Sequence, residues 1–382
     1  MNTFRLPTTV CFNDDALDIL KEYKNLNAVI FTDTFMVENG VAQMIAQKLS
    51  ACKSVNIFGD VVPDPPIDLI VEGLKFIQKY SADVIVAVGG GSSIDAAKAV
   101  SFMAKTTSGA KHIKLVAIPT TSGTGSEVTR FSVITDDKAG VKYPLIHDEI
   151  QPDVAILSPE LVKTAPRTIT ADTGFDVLTH ALEAYISTSA NEFSDALAEK
   201  ALELAFKYLP LAYAYGNNHE ARDKMHKASC LAGMSFNMVS LGVNHSIAHA
   251  LGAKFHIPHG RANAMLLPHV MLYNADLPHA FGSTDDAYTT TANKLAKIAL
   301  HIGIKTVKVK YAVRDLCDTI YSIGRTCGIP ATLGEANVTE EEYLAQKEAI
   351  ITSALNDACT LTNPRTVTRE SIEEILSSIA KF

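Results

Sequence analysis

The sequence predicts an α/β nucleotide-binding domain followed by an all-α metal-binding domain. Three observations carry that reading. Short apolar runs alternate with amphipathic stretches through the first part of the chain. Two of those runs lead straight into glycine-rich turns. Long amphipathic stretches without strands fill the remainder.

Ala28–Thr32, Ser54–Phe58, Asp83–Val88 and Leu115–Ile118 are rich in Val and Ile and are followed by Gly, Pro or Asp, the pattern of buried strands. Between them, Gly40–Leu49, Leu69–Lys79 and Ile94–Lys105 have helical spacing. Such alternation predicts a parallel sheet with helices on both faces. From about Ala165 the rhythm changes to stretches such as Ser194–Tyr208, Asp223–Phe236 and Thr289–His301. The boundary falls near the Pro-containing stretch Ser158–Pro166, giving domains of 1–164 and 165–382. A length of 382 residues suits two domains of ordinary size.

With 34 basic against 42 acidic residues and no Lys/Arg run, nucleic acid and anionic membranes are excluded as partners. No apolar stretch approaches the roughly 20 residues that span a bilayer. Met1–Val10 lacks the basic start and apolar middle of an export signal. The six cysteines (11, 52, 230, 317, 327 and 359) are scattered without a C-x-x-C pair. These features predict reduced thiols in a cytoplasmic protein and no clustered thiolate zinc site.

Asp83–Val88 runs into Gly89-Gly90-Gly91-Ser92-Ser93 and then Ile94-Asp95, which reads as strand, glycine loop and helix start. Glycines let backbone approach a ligand, and a helix N-terminus offers N–H groups to phosphate. Pro119-Thr120-Thr121-Ser122-Gly123-Thr124-Gly125-Ser126 again follows a strand. Two such loops at neighbouring strand ends suit the phosphates of a dinucleotide. The first loop is not the G-x-G-x-x-G fingerprint, and the candidate ribose acid, Asp33, precedes it in the chain. By themselves the loops indicate a nucleotide or phosphate ligand.

Asp176 and His180 stand four apart in a stretch of helical character, so both side chains share one face. Alone, the pair reads as a helix-start Asp and a core His. Four of the twelve histidines, however, fall within His245–His259: His245, His249, His256 and His259. His245 and His249 repeat the four-residue spacing among residues that look packed, and His259 follows Pro258 in a turn. One carboxylate with three imidazoles makes an all-N/O site suited to Fe(II), Mn(II), Co(II) or Zn(II). With an open position, it can act as a Lewis acid on an alkoxide or carbonyl oxygen.

Gly89-Gly90-Gly91-Ser92, the run from Pro119 to Thr129, Asp176–Ala184, His245–Gly252 and Pro258-His259-Gly260 resemble motifs of the iron-containing (group III) alcohol dehydrogenases. The resemblance extends from Thr32-Asp33 to Thr362-Asn363-Pro364-Arg365. Within the family the chain is most similar to the 1-propanol dehydrogenases of propanediol-utilisation microcompartments. Met1-Asn2-Thr3-Phe4 and Asp195–Lys200 point the same way.

The resemblance implies a dehydroquinate-synthase-like fold with the active site between the domains. It implies Asp176, His180, His245 and His259 as ligands of Fe(2+), or of Zn(2+) or another divalent ion. His249 becomes a nearby catalytic residue, a proton relay. NAD(H) contacts fall to Asp33, Asp64, Gly90, Gly91, Ser92, Asp95, Thr120, Thr121, Thr129 and Lys142, and the substrate pocket to Phe236 and Cys359. One departure is Asp64, where many members carry Asn. The implied reaction interconverts a short primary alcohol, 1-propanol in first place, and its aldehyde. A related lactaldehyde, 1,3-propanediol or butanol dehydrogenase is the near alternative; a dehydroquinate-synthase-like lyase and a metallohydrolase are the distant ones. Implied partners are a second copy of the chain, as homodimer or higher homo-oligomer, and the shell or cargo proteins of a bacterial microcompartment.

Overall fold

A computed structural model describes residues 3–108, 112–137, 141–277 and 288–382, apart from the side chains at 107, 108, 141 and 142. The chain forms two compact units, Met1–Ala165 and Pro166–Phe382.

The first unit contains β1 (Thr9–Phe12), β2 (Asn27–Asp33), α1 (Thr34–Glu38), α2 (Val41–Lys48), β3 (Ser54–Val61) and α3 (Ile67–Lys79). It continues with β4 (Val84–Gly89), α4 (Gly91–Ser108), β5 (Lys114–Pro119), β6 (Phe131–Asp136), β7 (Val141–Ile146), β8 (Val154–Leu157) and α5 (Pro159–Val162). Six parallel strands make one sheet in the order β1-β8-β5-β4-β2-β3. Every residue of β4 is buried, because parallel strands covered on both sides have no solvent face. Alternation sorts the side chains. Val29, Phe31, Ile85 and Ala87 pack with Ile77, Ile94 and Val100, while Ala28, Ile30, Val84 and Val86 pack with Leu20, Ile45 and Leu49.

β2 leads outward to β3, whereas β4 leads the other way to β5. The carboxyl ends of β2 and β4 therefore flank a topological switch point, where open α/β sheets bind ligands. Those ends are Asp33 and Gly89.

Three features depart from the sequence reading. Strands β1 and β8 have four residues each, too short for periodicity to register. β6 and β7 pair as an antiparallel hairpin where no strand was predicted. Helix α4 begins at Gly91 rather than Ile94, so Gly91 and Ser92 belong to its first turn instead of a loop.

The second unit is helical among the described residues. It comprises α6 (Arg167–Ile186), α7 (Glu192–Ala214), α8 (His219–Val239), α9 (Val243–Phe255), α10 (His259–Ala275), α11 (Thr290–His301), α12 (Val309–Thr326), α13 (Glu340–Asn356) and α14 (Arg369–Ile379). Side-chain caps start several of them: Asn191 and Ser194 form a reciprocal box at α7, and Thr289 caps α11. Helix α6 is the axis of this unit. Gly174 through Ile186 are all buried, against α7, α8 and α10. The start of α10 lies directly on it: a side-chain carbon on Gly260 would stand 1.9 Å from the Asp172 carbonyl oxygen.

Burial of a titratable group in this core carries a clear cost at His226. His226 on α8 is 1% exposed, and desolvation lowers its pKa to about 4. The unfolded chain binds this proton near its ordinary value of about 6.5, so stability is full above that pH and is lost as pH falls toward 4. The expected loss is roughly 3 kcal/mol. Urea unfolding at pH 7 and pH 5 should give a smaller difference for His226→Gln than for the parent protein; equal differences would assign the acid sensitivity elsewhere.

Candidate active site

At the switch point, backbone conformation requires a glycine. Gly89 has φ +149°, and a side-chain carbon there would come within 2.4 Å of Ser93 Oγ and 3.4 Å of Asp33 Oδ2. Asp33 uses Oδ1 to accept from Met36 N at 2.9 Å, capping α1, while Oδ2 faces the glycine turn. Thr120 N donates to Gly89 O at 2.9 Å, and a carbon added to Gly90 or Gly91 would meet Thr121 or Thr124. The β4 and β5 turns thus pack together, beside the α4 N-terminus that opens at Gly91. Its first-turn N–H groups, including that of Ser92, lack helical acceptors and suit a phosphate.

Other residues implied in cofactor binding take different positions. Asp64 is exposed in a left-handed conformation with φ 52°. Asp95 braces the second loop, accepting from Ser126 Oγ at 2.5 Å and from Val133 N at 3.0 Å. Thr129 is buried, its Oγ1 accepting from Lys98 Nζ at 3.2 Å. Lys142 lies opposite Thr135 in β7, but its side chain is outside the described residues.

Sequence reasoning missed Lys98. It is fully buried and donates also to Ser126 Oγ and Phe131 O, both at 2.8 Å, tying α4 to the second loop. Burial lowers its pKa to about 8. The available signal was a lysine three residues after Asp95, inside an otherwise apolar helix face.

In the second unit, donor atoms of Asp176, His180, His245 and His259 all lie within 4.8 Å of one another. Asp176 Oδ1 stands 3.8, 3.7 and 3.4 Å from the Nε2 atoms of His180, His245 and His259. Donors bonded at about 2.1 Å in a tetrahedral site stand roughly 3.4 Å apart, so the spacing fits one divalent ion. Burial raises the Asp176 pKa, but the imidazoles of His180 and His259 and the His245 hydrogen bond outweigh it and hold it far below the usual range. Burial also opposes a charge on His245, yet Asp176 and Glu183 lift it to about 9. Carboxylates that favour a proton there favour a cation at the same place.

The placement corrects three details. Asp176 is not at a helix start but deep inside α6, which begins nine residues earlier at Arg167. His259 is the first residue of α10, with Pro258 as its cap, rather than part of a turn. Of the clustered histidines only His245 is buried: the His249 and His259 side chains are 45% and 41% exposed, and His256 is an exposed left-handed cap of α9.

Two supporting residues were missed. His245 Nδ1 donates to Glu183 Oε2 at 2.5 Å, while Glu183 Oε1 accepts from Asn244 N at 2.7 Å. This aims the His245 Nε2 lone pair at Asp176 and fixes the tautomer. Glu183 follows His180 by three and Asp176 by seven, the same helix face, so its position was legible. Asn263 Nδ2 donates to Asp176 Oδ1 at 2.9 Å and stands 3.2 and 3.1 Å from Nε2 of His245 and His259. It follows His259 by four on α10, a spacing concealed when His259 is placed in a turn.

Phe236 stacks on His180, with ring centres 4.4 Å apart and planes at 26°. His249 stacks on His259 at 5.2 Å and donates from Nδ1 to Asp357 Oδ2 at 2.9 Å. Cys359 groups with His249 and Asp357, the three donor atoms lying within 4.8 Å of one another. An apolar ring and an oriented imidazole therefore border the four convergent donors, and a thiol lies beside that imidazole.

Residues 7–159 match the family model for iron-containing alcohol dehydrogenases, and residues 170–380 match that for the C-terminal part of the Fe-containing alcohol dehydrogenase family. The chain is similar to the 1-propanol dehydrogenase PduQ of Salmonella typhimurium, with 41% identity over 381 residues, 99% of this chain and 100% of the relative. It is 36% identical to the NADPH-dependent butanol dehydrogenase of Clostridium saccharobutylicum over 99% of this chain and 98% of that one. Among solved structures, the sulfoacetaldehyde reductase of Bifidobacterium kashiwanohense in complex with NAD+ superposes with a TM-score of 0.87. That match has 30% identity and covers 100% of this chain and 99% of the other.

Removing an imidazole from the four-donor set should abolish stoichiometric metal binding: His245→Ala and His259→Ala are expected to retain almost none by elemental analysis. Glu183→Gln should keep the site but weaken it about 10- to 100-fold in a competitive chelator titration. Full occupancy in either alanine variant would overturn the ligand set.

Proposed function

The chain belongs to the iron-containing alcohol dehydrogenase family, and from that membership we propose that it interconverts 1-propanol and propanal with NAD(H). The observation that carries the reading is the convergence of Asp176, His180, His245 and His259 beside the apolar ring of Phe236. Asp176, His180, His245 and His259 would hold a divalent ion, which would supply Lewis acidity toward a substrate oxygen. NAD+ or NADH supplies the hydride acceptor or donor.

The chain's own residues do the rest. Glu183 keeps the Nδ1 proton on His245, so Nε2 stays available as a lone pair. Phe236 excludes water and favours a short alkyl chain against its face. Asp357 orients the half-exposed His249 imidazole, suited to pass the alcohol proton outward. In the first unit, the Gly89–Ser92 turn and the α4 N-terminus suit a pyrophosphate, and Asp33 Oδ2 suits ribose hydroxyls. Gly90, Gly91, Ser92, Thr120 and Thr121 border that turn, whereas Asp95 and Thr129 act through the loop they hold.

The lyase and hydrolase alternatives are not favoured, because both halves of the chain match dehydrogenase models. Assembly as a homodimer or larger homo-oligomer and residence in a bacterial microcompartment belong to the same proposal, supported by the likeness to PduQ. No described helix is long and apolar enough to cross a membrane.

Purified iron-loaded protein should reduce propanal with NADH, and propanal and its close neighbours should exceed sugars and anionic aldehydes in kcat/KM. Each methylene is expected to add about 1 kcal/mol until the pocket is full. A preference for glycerol or a charged aldehyde would overturn the substrate assignment.

Asp33 should also set the preference for NAD over NADP, since its carboxylate would face the 2′-phosphate. Asp33→Asn keeps a side-chain acceptor for the α1 cap while removing the charge. NADPH-linked kcat/KM is expected to rise by roughly tenfold or more relative to the NADH-linked value, on the scale of one relieved like-charge contact. An unchanged cofactor ratio would remove Asp33 from the ribose.

A further inference from the structure

The scattered cysteines excluded a clustered thiolate site, yet the fold gives one cysteine two metal-binding neighbours. Asp357 caps the 3-10 turn Ala358–Thr362, its Oδ1 accepting from Cys359 N at 2.8 Å. That cap turns the Asp357 carboxylate and the Cys359 side chain to the same side. Helix α9 brings His249, whose Nδ1 is 2.9 Å from Asp357 Oδ2. Ser246 Oγ, one turn earlier on α9, donates to Asp357 Oδ1 at 3.2 Å and accepts from Thr360 Oγ1 at 2.8 Å, fixing the turn against the helix. One nitrogen, one oxygen and one sulfur donor thus lie within 4.8 Å of one another.

We propose that His249, Asp357 and Cys359 form a second cation site, selective for a thiophilic divalent ion such as Zn(2+), whose occupancy blocks turnover. The donor sets differ in softness. The four-residue centre offers only nitrogen and oxygen, whereas this one adds sulfur, which favours zinc-like ions over harder ones. Binding replaces the His249–Asp357 hydrogen bond with two metal–ligand bonds and forms a third to Cys359 Sγ. The thiol proton leaves to water, and the Nδ1 proton of His249 is exchanged through solvent to Nε2, so that Nδ1 binds through its lone pair. Burial and the neighbouring Asp357 charge push the Cys359 thiol up, so it is protonated until a cation offsets both. Water or a substrate oxygen completes the coordination, since three protein ligands leave one position open. His249 is stacked on His259, so an ion here takes the imidazole and thiol that border the substrate oxygen's site. The block on turnover, though not the binding, rests on the dehydrogenase reading.

Cobalt(II) titrated into the iron-loaded protein tests binding directly, because a cobalt–thiolate bond absorbs in the near ultraviolet and an N/O site has no thiolate. The absorption should appear with one equivalent, be absent from Cys359→Ser, and require about tenfold more cobalt in Asp357→Asn. Zinc added to the same protein should inhibit propanal reduction with iron retained by elemental analysis, and a chelator should restore the rate. Absence of the absorption, or its persistence in Cys359→Ser, overturns the site. Inhibition that releases iron in equal amount overturns the block and returns the effect to the four-residue centre. A protein inactive on every alcohol and aldehyde would leave the cobalt result to decide the site alone.

Discussion

A carboxylate sealed inside a helical core dominates the second unit. Asp176 is 5% exposed and faces three imidazole nitrogens. An ionised carboxylate removed from water costs several kcal/mol unless positive charge and hydrogen bonds surround it. The neighbouring residues meet that need in layers. Asn263 donates to Asp176, and Glu183 orients His245. Arg261 makes a two-bonded fork with Asp172, one turn from Asp176, which holds the start of α10 against α6. Helices α6, α9 and α10 are fixed to one another around a single charge.

The first unit obeys a different constraint, set by backbone rather than by charge. Its sheet reverses direction of travel between β2 and β4, which opens a gap at the ends of those strands. Gly89 fills the gap with a conformation that side chains resist, and Asp33 and Thr120 close on it. Beneath the second loop, Lys98 and Asp95 hold Ser126 and Phe131 in place. A buried lysine is tolerable there because three acceptors surround its ammonium group.

Much of this was legible in the chain. The central strands announce themselves as Val/Ile runs because burial on both faces leaves no polar alternation, and the four-residue spacings of Asp176–His180 and His245–His249 follow from helix geometry. What escaped has physical reasons. β1 and β8 are four-residue strands whose pairing is visible only in three dimensions. In β6 the polar Ser132 is buried and the apolar Val133 exposed, so polarity does not follow burial along the strand. Asn263, Asp357 and Glu183 act through groups distant in sequence, and local spacing reveals such partners only when they share a helix face with a ligand, as Glu183 does with His180 and Asn263 with His259. His249 reads as lying among packed residues, but Ala248, Ala250 and Leu251 are buried while His249 itself is exposed.

The burial of α6 on every side also bears on how this chain tolerates change over generations. A helix with a solvent face can absorb an extra residue by rotating its wet side, whereas α6 has no wet side from Gly174 to Ile186. One inserted or deleted residue would turn everything beyond it by about 100° and shift it about 1.5 Å. His180 and Glu183 would then swing into apolar surroundings, with Thr179 and Leu182 in their places after an insertion, or Ala181 and Ala184 after a deletion. Length variation among descendants of this sequence should therefore gather in the connections between helices, while α6 keeps its residue count even where its side chains drift.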